Sequence, residues 1–264
     1  MSNNRVAILS FSGGIDSTSL LLRLLDKGYN VHPITFRYGQ KHEIEIKFAK
    51  RNFKYLKDKG MDLGTHRIVN LSSLIKSFDS SLIGIEKEIP EGYYESKNML
   101  STFVPNRNAI FLSMLYGYAV SVAKSNKSKI AISIGAHAGD HSIYPDCRAE
   151  FFNKIIEAFK IGNWNSDKIN LYLPYLKLDK TQILEDAKIS IAKLKLDFNT
   201  IFKNTLTSYE PDKKGRSNGK TGSDIERIIA FNKNGLEDPI EYIEPWEKVL
   251  EYALETEKKF KPTH

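Results

Sequence analysis

Short apolar runs alternate with longer amphipathic segments along most of this chain. VAILSF at 6–11 is an unbroken apolar run followed by two glycines, a pattern that predicts a strand buried on both faces. STSLLLRLLDKG at 17–28 predicts a helix that begins at a serine and ends before Gly28. The same patterns predict further strands at 30–36, 66–72, 129–136 and 169–176, and further helices at 41–59, 106–125, 149–160 and 179–194.

This alternation predicts a doubly wound α/β fold, in which a mostly parallel sheet is covered by helices on both faces. Ligands of such sheets bind beyond the carboxyl ends of the strands, where the strand order reverses. Residues 74–100 are irregular, and beyond about 195 the sequence becomes polar and turn-rich before a final helix at 245–260. We therefore predict a main domain at 1–195 and a C-terminal appendage at 196–264.

The composition indicates a water-soluble globular protein. Of the 264 residues, 41% are hydrophobic and 27% are charged, and the N-terminus does not resemble a secretion signal. No apolar stretch approaches the roughly 18 residues that span a bilayer, so we expect no membrane partner. The single cysteine, Cys147, excludes an internal disulfide and fits a cytoplasmic location.

The net charge of +7 allows two interpretations, a nucleic-acid surface or a lysine-rich solvated exterior. The lysines are spread along the whole chain, and no arginine-rich block with interleaved aromatic residues occurs. The distribution therefore favours a solvated exterior and gives no support to a nucleic-acid partner. A positive rim would also attract an anionic nucleotide.

The segment FSGGIDSTSLL at 11–21 joins the first predicted strand to the first predicted helix. Its glycines allow a tight turn, and the amides of Gly13, Gly14 and the first helical turn would then converge on an anion. The hydroxyls of Ser12, Ser17 and Thr18 can add donors. The GxxxxGK[ST] pattern of kinase-type phosphate loops is absent. An ordinary strand-to-helix turn is the alternative interpretation.

SGGIDS resembles the pyrophosphate-binding loop of the N-type ATP pyrophosphatases. Three further segments, YGQKHEIE at 38–45, FVPNRN at 103–108 and GAHAGDHSIYPDCRAEF at 135–151, extend the resemblance. Together they closely resemble the 7-cyano-7-deazaguanine synthase family of queuosine and 7-deazaguanine biosynthesis. The resemblance runs from residue 6 to about residue 240, and YPDCR is its most specific part.

The resemblance implies an adenine nucleotide alpha hydrolase-like (Rossmann-like) fold, with an ATP pyrophosphatase-type nucleotide-binding domain at 1–195. It also implies an ATP-dependent C–N ligase that uses Mg²⁺ and acts in the cytoplasm, and a homodimer. The substrates would be 7-carboxy-7-deazaguanine and ammonia. Adenylation of the carboxylate and displacement of AMP give an amide; adenylation of that amide and loss of AMP give the nitrile, 7-cyano-7-deazaguanine.

The resemblance assigns site residues by their places in these motifs. Asp16 would help to hold Mg²⁺, and it stands with Lys180 and Cys147 as a candidate catalytic residue. The candidate ATP-binding residues are Phe11, Ser12, Gly13, Gly14, Asp16, Ser17, Thr18, Arg107 and Asn108. The candidate substrate-binding residues are Gln40, His42, His137, Asp140, Tyr144, Asp146 and Arg148.

The side-chain chemistry of these positions leaves some alternatives open. Asp146 can accept paired hydrogen bonds from an aminopyrimidinone edge, and Arg148 can hold a carboxylate through two of its N–H groups. Cys147 could be a packed thiol, a pocket-lining residue or a nucleophile. Lys180 could neutralise charge on the phosphates or lie on the surface. His137 could serve only as a hydrogen-bond partner for the backbone of its loop.

One departure from the family pattern lies at TLTSYEPDKKGRSNGKTGSDIERIIAF, 205–231. Members of the family carry four zinc-binding cysteines where this chain has Ser208, Asn218, Thr221 and Asp224. Hydroxyl and amide oxygens do not replace thiolates in a tetrahedral zinc site, so we expect no zinc. Turns, packing, and capping of the following helix by Ser223 or Asp224 would hold this loop.

This departure leaves alternatives to the synthase reaction. The protein could stop at the amide, or it could couple the activated deazaguanine to another amine in DNA modification or phage–host conflict. A non-catalytic nucleotide sensor is a further alternative, although an intact SGGIDS motif disfavours it. A tRNA-thiolating enzyme would be expected to carry two reactive cysteines, and this chain has one.

Overall fold

The structure is a computed structural model that describes residues 5–83, 88–126 and 128–260. Its centre is a five-stranded sheet in the order β3-β2-β1-β4-β5, and all four strand pairs are parallel. The prediction of a doubly wound parallel sheet is thereby confirmed. The strands are β1 (Arg5–Ser10), β2 (Tyr29–Arg37), β3 (Arg67–Asn70), β4 (Ile130–Ser133) and β5 (Ile169–Leu171).

Helices connect the strands and form the C-terminal part of the chain. They are α1 (Ile15–Asp26), α2 (Glu45–Asp58), α3 (Ser72–Ile75), α4 (Arg107–Asn126), α5 (Ala149–Gly162), α6 (Lys180–Leu194), α7 (Phe198–Lys203), α8 (Gly222–Lys233) and α9 (Trp246–Phe260). Short 3₁₀ helices span Lys97–Thr102, Ala138–Ser142, Pro145–Cys147 and Ser166–Lys168. None of the helices in the described part of the chain is both long and apolar enough to cross a membrane.

The central position of β1 in the sheet explains why its sequence is apolar at consecutive positions. Val6 and Ile8 belong to the core on the face that α4 covers, whereas Ala7 and Leu9 belong to the core formed with α1 and α6. Successive side chains of a strand point to opposite faces, so a central strand of a two-sided sheet needs apolar residues at odd and even positions alike.

The strand order reverses beside β1, and this reversal positions the site. From β1 the chain adds β2 and then β3 on one side, and it returns to place β4 and β5 on the other side. The connections that leave β1 and β4 therefore diverge from each other. Their divergence opens a crevice at the carboxyl ends of both strands.

The predicted elements differ from the structure mainly at their ends. The predicted strands at 129–136 and 169–176 extend beyond β4 and β5 by several residues. Ile134 and Ala136 are buried, but they line the crevice rather than the sheet. Apolar residues at a binding crevice are indistinguishable from strand residues by pattern alone.

The C-terminal part holds two features that the sequence did not predict. Helix α7 was not predicted, and α8 is capped by Thr221 rather than by Ser223 or Asp224. The Thr221 side chain accepts from the Asp224 N–H, while the Asp224 side chain accepts from the Thr221 N–H, which is a capping box. Phe202 and Phe231 pack into the core of α1 and α6. The domain boundary at residue 195 stays a prediction.

Candidate active site

The loop that follows β1 needs glycine at its first turn. Gly13 has a φ of +95°, and a Cβ atom there would lie 2.9 Å from the Ala49 Cβ and 2.9 Å from the Glu45 carbonyl oxygen of α2. Both the positive φ and the contact with helix backbone exclude other residues. The loop is therefore pressed against the start of α2.

Hydroxyl groups and amides converge in this loop, which we call the phosphate loop (residues 11–18). The Gly13 N–H donates to the Ser17 Oγ at 3.2 Å, and the Gly14 N–H donates to the Ser12 Oγ at 3.2 Å. The two serine oxygens are 3.0 Å apart. Thr18 is fully buried in α1. The N-terminus of α1 and these donors together form a concave surface that suits an anion.

The crevice contains a cavity of about 200 Å³ that the phosphate loop borders on one side. The residues that line it form two groups with different chemistry, which we call the charged half and the aromatic half. The charged half consists of Asp16, His137, Asp140 and Lys180. The aromatic half consists of Phe36, Tyr38, Phe111, Tyr144 and Tyr209, together with the polar residues His42, Glu45 and Arg107.

Lys180 lies at the centre of the charged half, as the first residue of α6. Its Nζ is 3.3 Å from the Asp16 Oδ2 and 2.9 Å from the Glu226 Oε2, and the side chain is 4% exposed. Burial lowers the pKa of Lys180, but the carboxylates of Asp16 and Glu226 raise it by more, so the net shift is upward. A permanently protonated ammonium is thus fixed beside the phosphate loop.

His137 completes the charged half. Its Nδ1 accepts a hydrogen bond from the Gly139 N–H at 3.1 Å, so the proton of the neutral ring is at Nε2. Nε2 faces the carboxylates of Asp140, Glu226 and Asp16 at 3.6, 3.8 and 3.9 Å. Burial lowers the pKa of His137, and these carboxylates raise it above its ordinary value.

Asp16 has the features of a Mg²⁺ ligand. Its Oδ1 is a buried oxygen that has no hydrogen-bond partner among the described residues. Those residues contain no group of three or more His, Cys, Asp or Glu side chains arranged to hold a metal ion. Mg²⁺ in nucleotide sites commonly takes one or two carboxylates and completes its shell with phosphate oxygens and water. Asp16 therefore fits Mg²⁺ that arrives with a nucleotide.

The aromatic half offers flat surfaces to a ring. Phe36 and Phe111 stack with their centroids 4.1 Å apart, and Tyr38 packs on Phe111 at 5.7 Å. The Arg107 guanidinium lies 5.9 Å from the Tyr144 ring centroid. Burial raises the pKa of Tyr38 to about 12, so this phenol remains protonated. The arrangement suits a planar heterocycle with an acidic substituent.

Glu45 brings a carboxyl group into this half from the first turn of α2. Its Oε1 accepts from the Gln40 Nε2 at 3.0 Å and lies 3.7 Å from the His42 Nε2. Burial raises the pKa of Glu45 to about 8 and lowers the pKa of His42 to about 3. At neutral pH the contact between Glu45 and His42 therefore joins two uncharged groups.

The YPDCR motif connects the substrate side to the start of α4. Asp146 Oδ2 accepts from the Asn108 N–H at 3.1 Å, and the Asn108 Nδ2 donates to the Asp146 carbonyl and the Cys147 Sγ, both at 3.2 Å. Cys147 borders the cavity and is buried, and burial raises the pKa of its thiol well above its ordinary value. Asp146 is buried, but it is not among the cavity-lining residues that the structure describes.

Two further predicted residues, Arg148 and Gln40, are not among the cavity-lining residues that the structure describes. The exposed Arg148 donates through Nε to the His141 carbonyl at 3.1 Å. Gln40 is buried and holds the turn after β2, where its Oε1 accepts from the Tyr38 N–H at 2.8 Å. Of the four zinc-ligand positions, the structure brings Ser208, Thr221 and Asp224 together by hydrogen bonds.

Sequence reasoning missed several residues of the site. Glu45 belongs to the quoted YGQKHEIE motif, and its place in the first turn of a helix that starts at the sheet edge was the available signal. Tyr94 lies in a segment without periodicity, yet its hydroxyl donates to the Asp140 Oδ1 at 2.8 Å. Glu226 and Thr207 are close to the phosphate loop only through the C-terminal segment, and no local pattern indicates that.

Comparisons with known proteins show the family to which the chain belongs. The family model described as queuosine biosynthesis protein QueC matches residues 6–235. The 7-cyano-7-deazaguanine synthase of Methanoregula boonei is 41% identical over 89% of this chain and 98% of its own length. That of Pseudoalteromonas translucida is 38% identical over 89% of this chain and 97% of its own length.

Solved structures resemble this chain with lower sequence identity. The NMN synthetase from Francisella tularensis aligns over 100% of this chain and 89% of its own, with 13% identity and a TM-score of 0.41. Such a likeness carries no argument about function. The family-model match over residues 6–235 and the 41% identity to the Methanoregula boonei protein do carry one. The chain belongs to the QueC family of queuosine biosynthesis proteins, and the similar members named above are 7-cyano-7-deazaguanine synthases.

Proposed function

We propose that the protein uses ATP to convert 7-carboxy-7-deazaguanine into 7-cyano-7-deazaguanine, through an adenylated carboxylate and then an amide, with release of AMP and pyrophosphate. Family membership supports the overall reaction. The observation that carries the proposal is the pair of the buried Lys180 and the partly buried Asp16 of the phosphate loop, 3.3 Å apart. Such a pair suits a nucleotide triphosphate with its counter-ion.

ATP would lie with its terminal phosphates on the phosphate loop. The loop amides and the hydroxyls of Ser12 and Ser17 would donate to the β- and γ-phosphates, and the Lys180 ammonium would offset the charge that grows on them. Mg²⁺, when bound at Asp16, would neutralise phosphate charge. These groups stabilise pyrophosphate as a leaving group, so cleavage falls between the α- and β-phosphates.

The first condensation starts when a substrate carboxylate oxygen attacks the α-phosphorus. The α–β bond breaks, pyrophosphate leaves, and the carboxylate becomes an acyl adenylate. Ammonia then attacks the carbonyl carbon, AMP leaves with one carboxylate oxygen, and loss of a proton gives the amide. The protein contributes position and the exclusion of water, because hydrolysis of the adenylate would regenerate the acid.

The second condensation repeats this use of ATP on the amide. The amide oxygen attacks the α-phosphorus of a second ATP, and pyrophosphate leaves again. Loss of AMP together with the two protons on nitrogen then gives the nitrile. Neither step needs a protein nucleophile, which agrees with Cys147, whose burial keeps its thiol protonated at neutral pH.

The ring of the substrate would occupy the aromatic half, with its carboxylate towards Arg107 and the phosphate loop. Asp146 as the acceptor for the aminopyrimidinone edge stays a prediction, as does Arg148 as the partner of the carboxylate. Glu45 and Arg107 are the alternatives for these two tasks, because both line the cavity. The substitutions Glu45→Gln and Asp146→Asn separate the two candidate acceptors by their effects on the KM of the acid.

The proposal is tested by incubating the purified protein with ATP, Mg²⁺, ammonium and 7-carboxy-7-deazaguanine and identifying the products by mass spectrometry. We expect two AMP and two pyrophosphate for each nitrile formed. A product that stops at the amide, with one AMP, would contradict the second condensation. ATP binding without AMP formation would contradict the proposal as a whole and favour a nucleotide sensor.

A further inference from the structure

A buried group of hydrogen-bonded side chains lies behind the charged half, and we call it the Asp224 cluster (Ser208, Ser217, Thr221 and Asp224). The Asp224 Oδ2 accepts from the Thr221 Oγ1 at 2.7 Å, the Ser208 Oγ at 3.1 Å and the Thr221 N–H at 3.3 Å. Ser217 also bonds to this carboxylate. All four residues are at most 1% exposed.

The chemistry of the cluster does not fit the structural zinc that family members with four cysteines carry at these positions. Its hydroxyls donate their protons to one carboxylate, whereas a zinc site needs thiolate or imidazole ligands that offer lone pairs. The remaining zinc-ligand position, Asn218, does not belong to the cluster. Asn218 is only half-buried, and its Oδ1 accepts from the Lys220 N–H at 2.9 Å, while Ser217 bonds to the carboxylate instead.

One side of the cluster is tied to the phosphate loop through the segment 205–209. The Leu206 N–H donates to the Gly13 carbonyl at 3.1 Å, and the Thr207 Oγ1 accepts from the Ile15 N–H at 3.4 Å. Ser208 is the next residue along the chain, and Tyr209 after it lines the cavity. The hydrogen bond from Ser208 to Asp224 therefore fixes the strip of chain that contacts the phosphate loop.

The other side of the cluster is tied to Lys180 through α8. Asp224 lies in the first turn of α8, and Glu226, two residues later, pairs with the Lys180 Nζ at 2.9 Å. Arg227 reaches back to the same strip, since its Nη1 donates to the Thr205 Oγ1 at 2.8 Å and the Thr207 Oγ1 at 3.1 Å. One buried carboxylate thus connects the two walls.

We propose that Asp224 is a positioning residue, and that the Asp224 cluster is a metal-free clasp that sets the phosphate loop and the Lys180 ammonium relative to each other. Asp224 does not touch the nucleotide. It acts through Thr207 on one wall and through Glu226 on the other. The clasp concerns how the ATP site is built, so it rests on ATP use and not on the identity of the base.

The test compares Asp224→Asn, Thr221→Val and Thr221→Ser with the unaltered chain. The neutral amide of D224N accepts these hydrogen bonds more weakly than the charged carboxylate, and it places an NH2 group where the second carboxylate oxygen lies, so D224N should lower kcat by about 10- to 100-fold and raise the KM for ATP. T221V removes the strongest donor and should lower kcat about 10-fold, whereas T221S keeps the hydroxyl and should stay within about 2-fold. The KM for the deazaguanine acid should not change in any variant.

The changes in kcat and in the two KM values distinguish a positioning role of Asp224 from a general loss of folded protein. Fewer folded molecules lower the apparent kcat and leave both KM values as they were, and that result would overturn the proposal. If D224N does not fold, the contrast between T221V and T221S carries the same test. Equal loss in these two variants would also overturn it.

Two further measurements complete the experiment. Elemental analysis of the purified chain should find zinc well below one ion per chain, and about one ion per chain would overturn the metal-free clasp. If the unaltered chain binds ATP but forms no AMP, the proposed function fails. The clasp is then judged by calorimetric Kd values for ATP, which should rise in D224N and T221V but not in T221S.

Discussion

The two halves of the cavity differ in how they hold their polar groups. In the charged half, Asp16, His137 and Lys180 lie within 2.9–3.9 Å of one another or of the shared carboxylate of Glu226, so groups of opposite charge are neighbours. In the aromatic half, Glu45 and His42 are buried with shifts in pKa that leave both uncharged. In the proposed reaction, the first half would act on charge that develops on the phosphates, and the second would select the ring of the substrate.

This difference predicts which constants respond to substitution. Changes in the charged half should mainly lower kcat, since they remove groups that act on the phosphates as bonds change. Changes in the aromatic half should mainly raise the KM of the deazaguanine acid. The largest effects are therefore expected at Asp16 and Lys180, and smaller ones at Glu45.

Asp16→Asn should lower the rate of pyrophosphate release by about 10³-fold or more, because it removes the carboxylate that fits Mg²⁺ and pairs with Lys180. A coupled pyrophosphate assay measures the effect. Asp26→Asn is the matched control, since Asp26 lies on the same helix and pairs with Lys193 at 3.3 Å away from the cavity. Comparable losses in both variants would contradict a specific role for Asp16.

Lys180→Met should lower kcat by about 10²-fold or more, because it removes the ammonium beside the leaving phosphates. Removing this charge also takes the 2.9 Å ion-pair partner from Glu226, which is partly buried. The double variant Lys180→Met/Glu226→Gln restores the net charge of the unaltered site, so steady-state kinetics of both variants separate the two effects. Recovery of kcat in the double variant would show that Lys180 only compensates Glu226.

Glu45→Gln and Asp146→Asn distinguish the two candidate carboxylates for the aminopyrimidinone edge. Loss of a hydrogen-bonded carboxylate should raise the KM for the deazaguanine acid about 10-fold, with the KM for ATP unchanged. If Glu45 is the acceptor, it must ionise to accept two N–H groups, so in the unaltered chain this KM should fall as the pH rises to about 8. A larger effect of D146N without that pH dependence would assign the edge to Asp146. A rise in the KM for ATP in E45Q would place adenine there.

Glu45→Gln should also flatten the dependence of stability on pH. The pKa of Glu45 is about 8 in the folded chain, against 4.5 as its ordinary value, so the folded state binds more protons between these two pH values. Stability therefore falls as the pH rises through this window, and a neutral glutamine side chain at this position removes that loss. Melting temperatures at pH 5 and pH 8.5 should show a smaller decrease for E45Q. An equal decrease in both proteins would contradict the buried carboxyl group.

The sequence predicted the fold through β1 and its neighbours, because a central parallel strand needs a continuous apolar run. It also predicted the tight glycine turn after β1, since the positive φ of Gly13 and its contact with α2 leave no other residue. Constraints of this kind can be predicted from the local sequence pattern. The ends of strands are predicted less well where apolar residues such as Ile134 follow the strand and line a cavity.

The remainder of the site depends on contacts between distant parts of the chain. Glu226 meets Lys180 because α8 is fixed by the Asp224 cluster and by Arg227, which is fully buried and pairs with Asp238 at 2.6 Å. No periodicity near residue 226 indicates that partner. The zinc-position residues show the same limit, since the sequence predicted that thiolates were missing but not that one carboxylate would collect the hydroxyls.

The most direct test of the proposed chemistry uses 7-carboxy-7-deazaguanine with both carboxylate oxygens labelled with ¹⁸O. If the carboxylate and then the amide oxygen attack the α-phosphorus, each nitrile should be accompanied by two AMP molecules that each carry one ¹⁸O atom, with none in pyrophosphate. Mass spectrometry of AMP and pyrophosphate reads this directly. Unlabelled AMP, or ¹⁸O in pyrophosphate, would contradict adenylation of the substrate at this site.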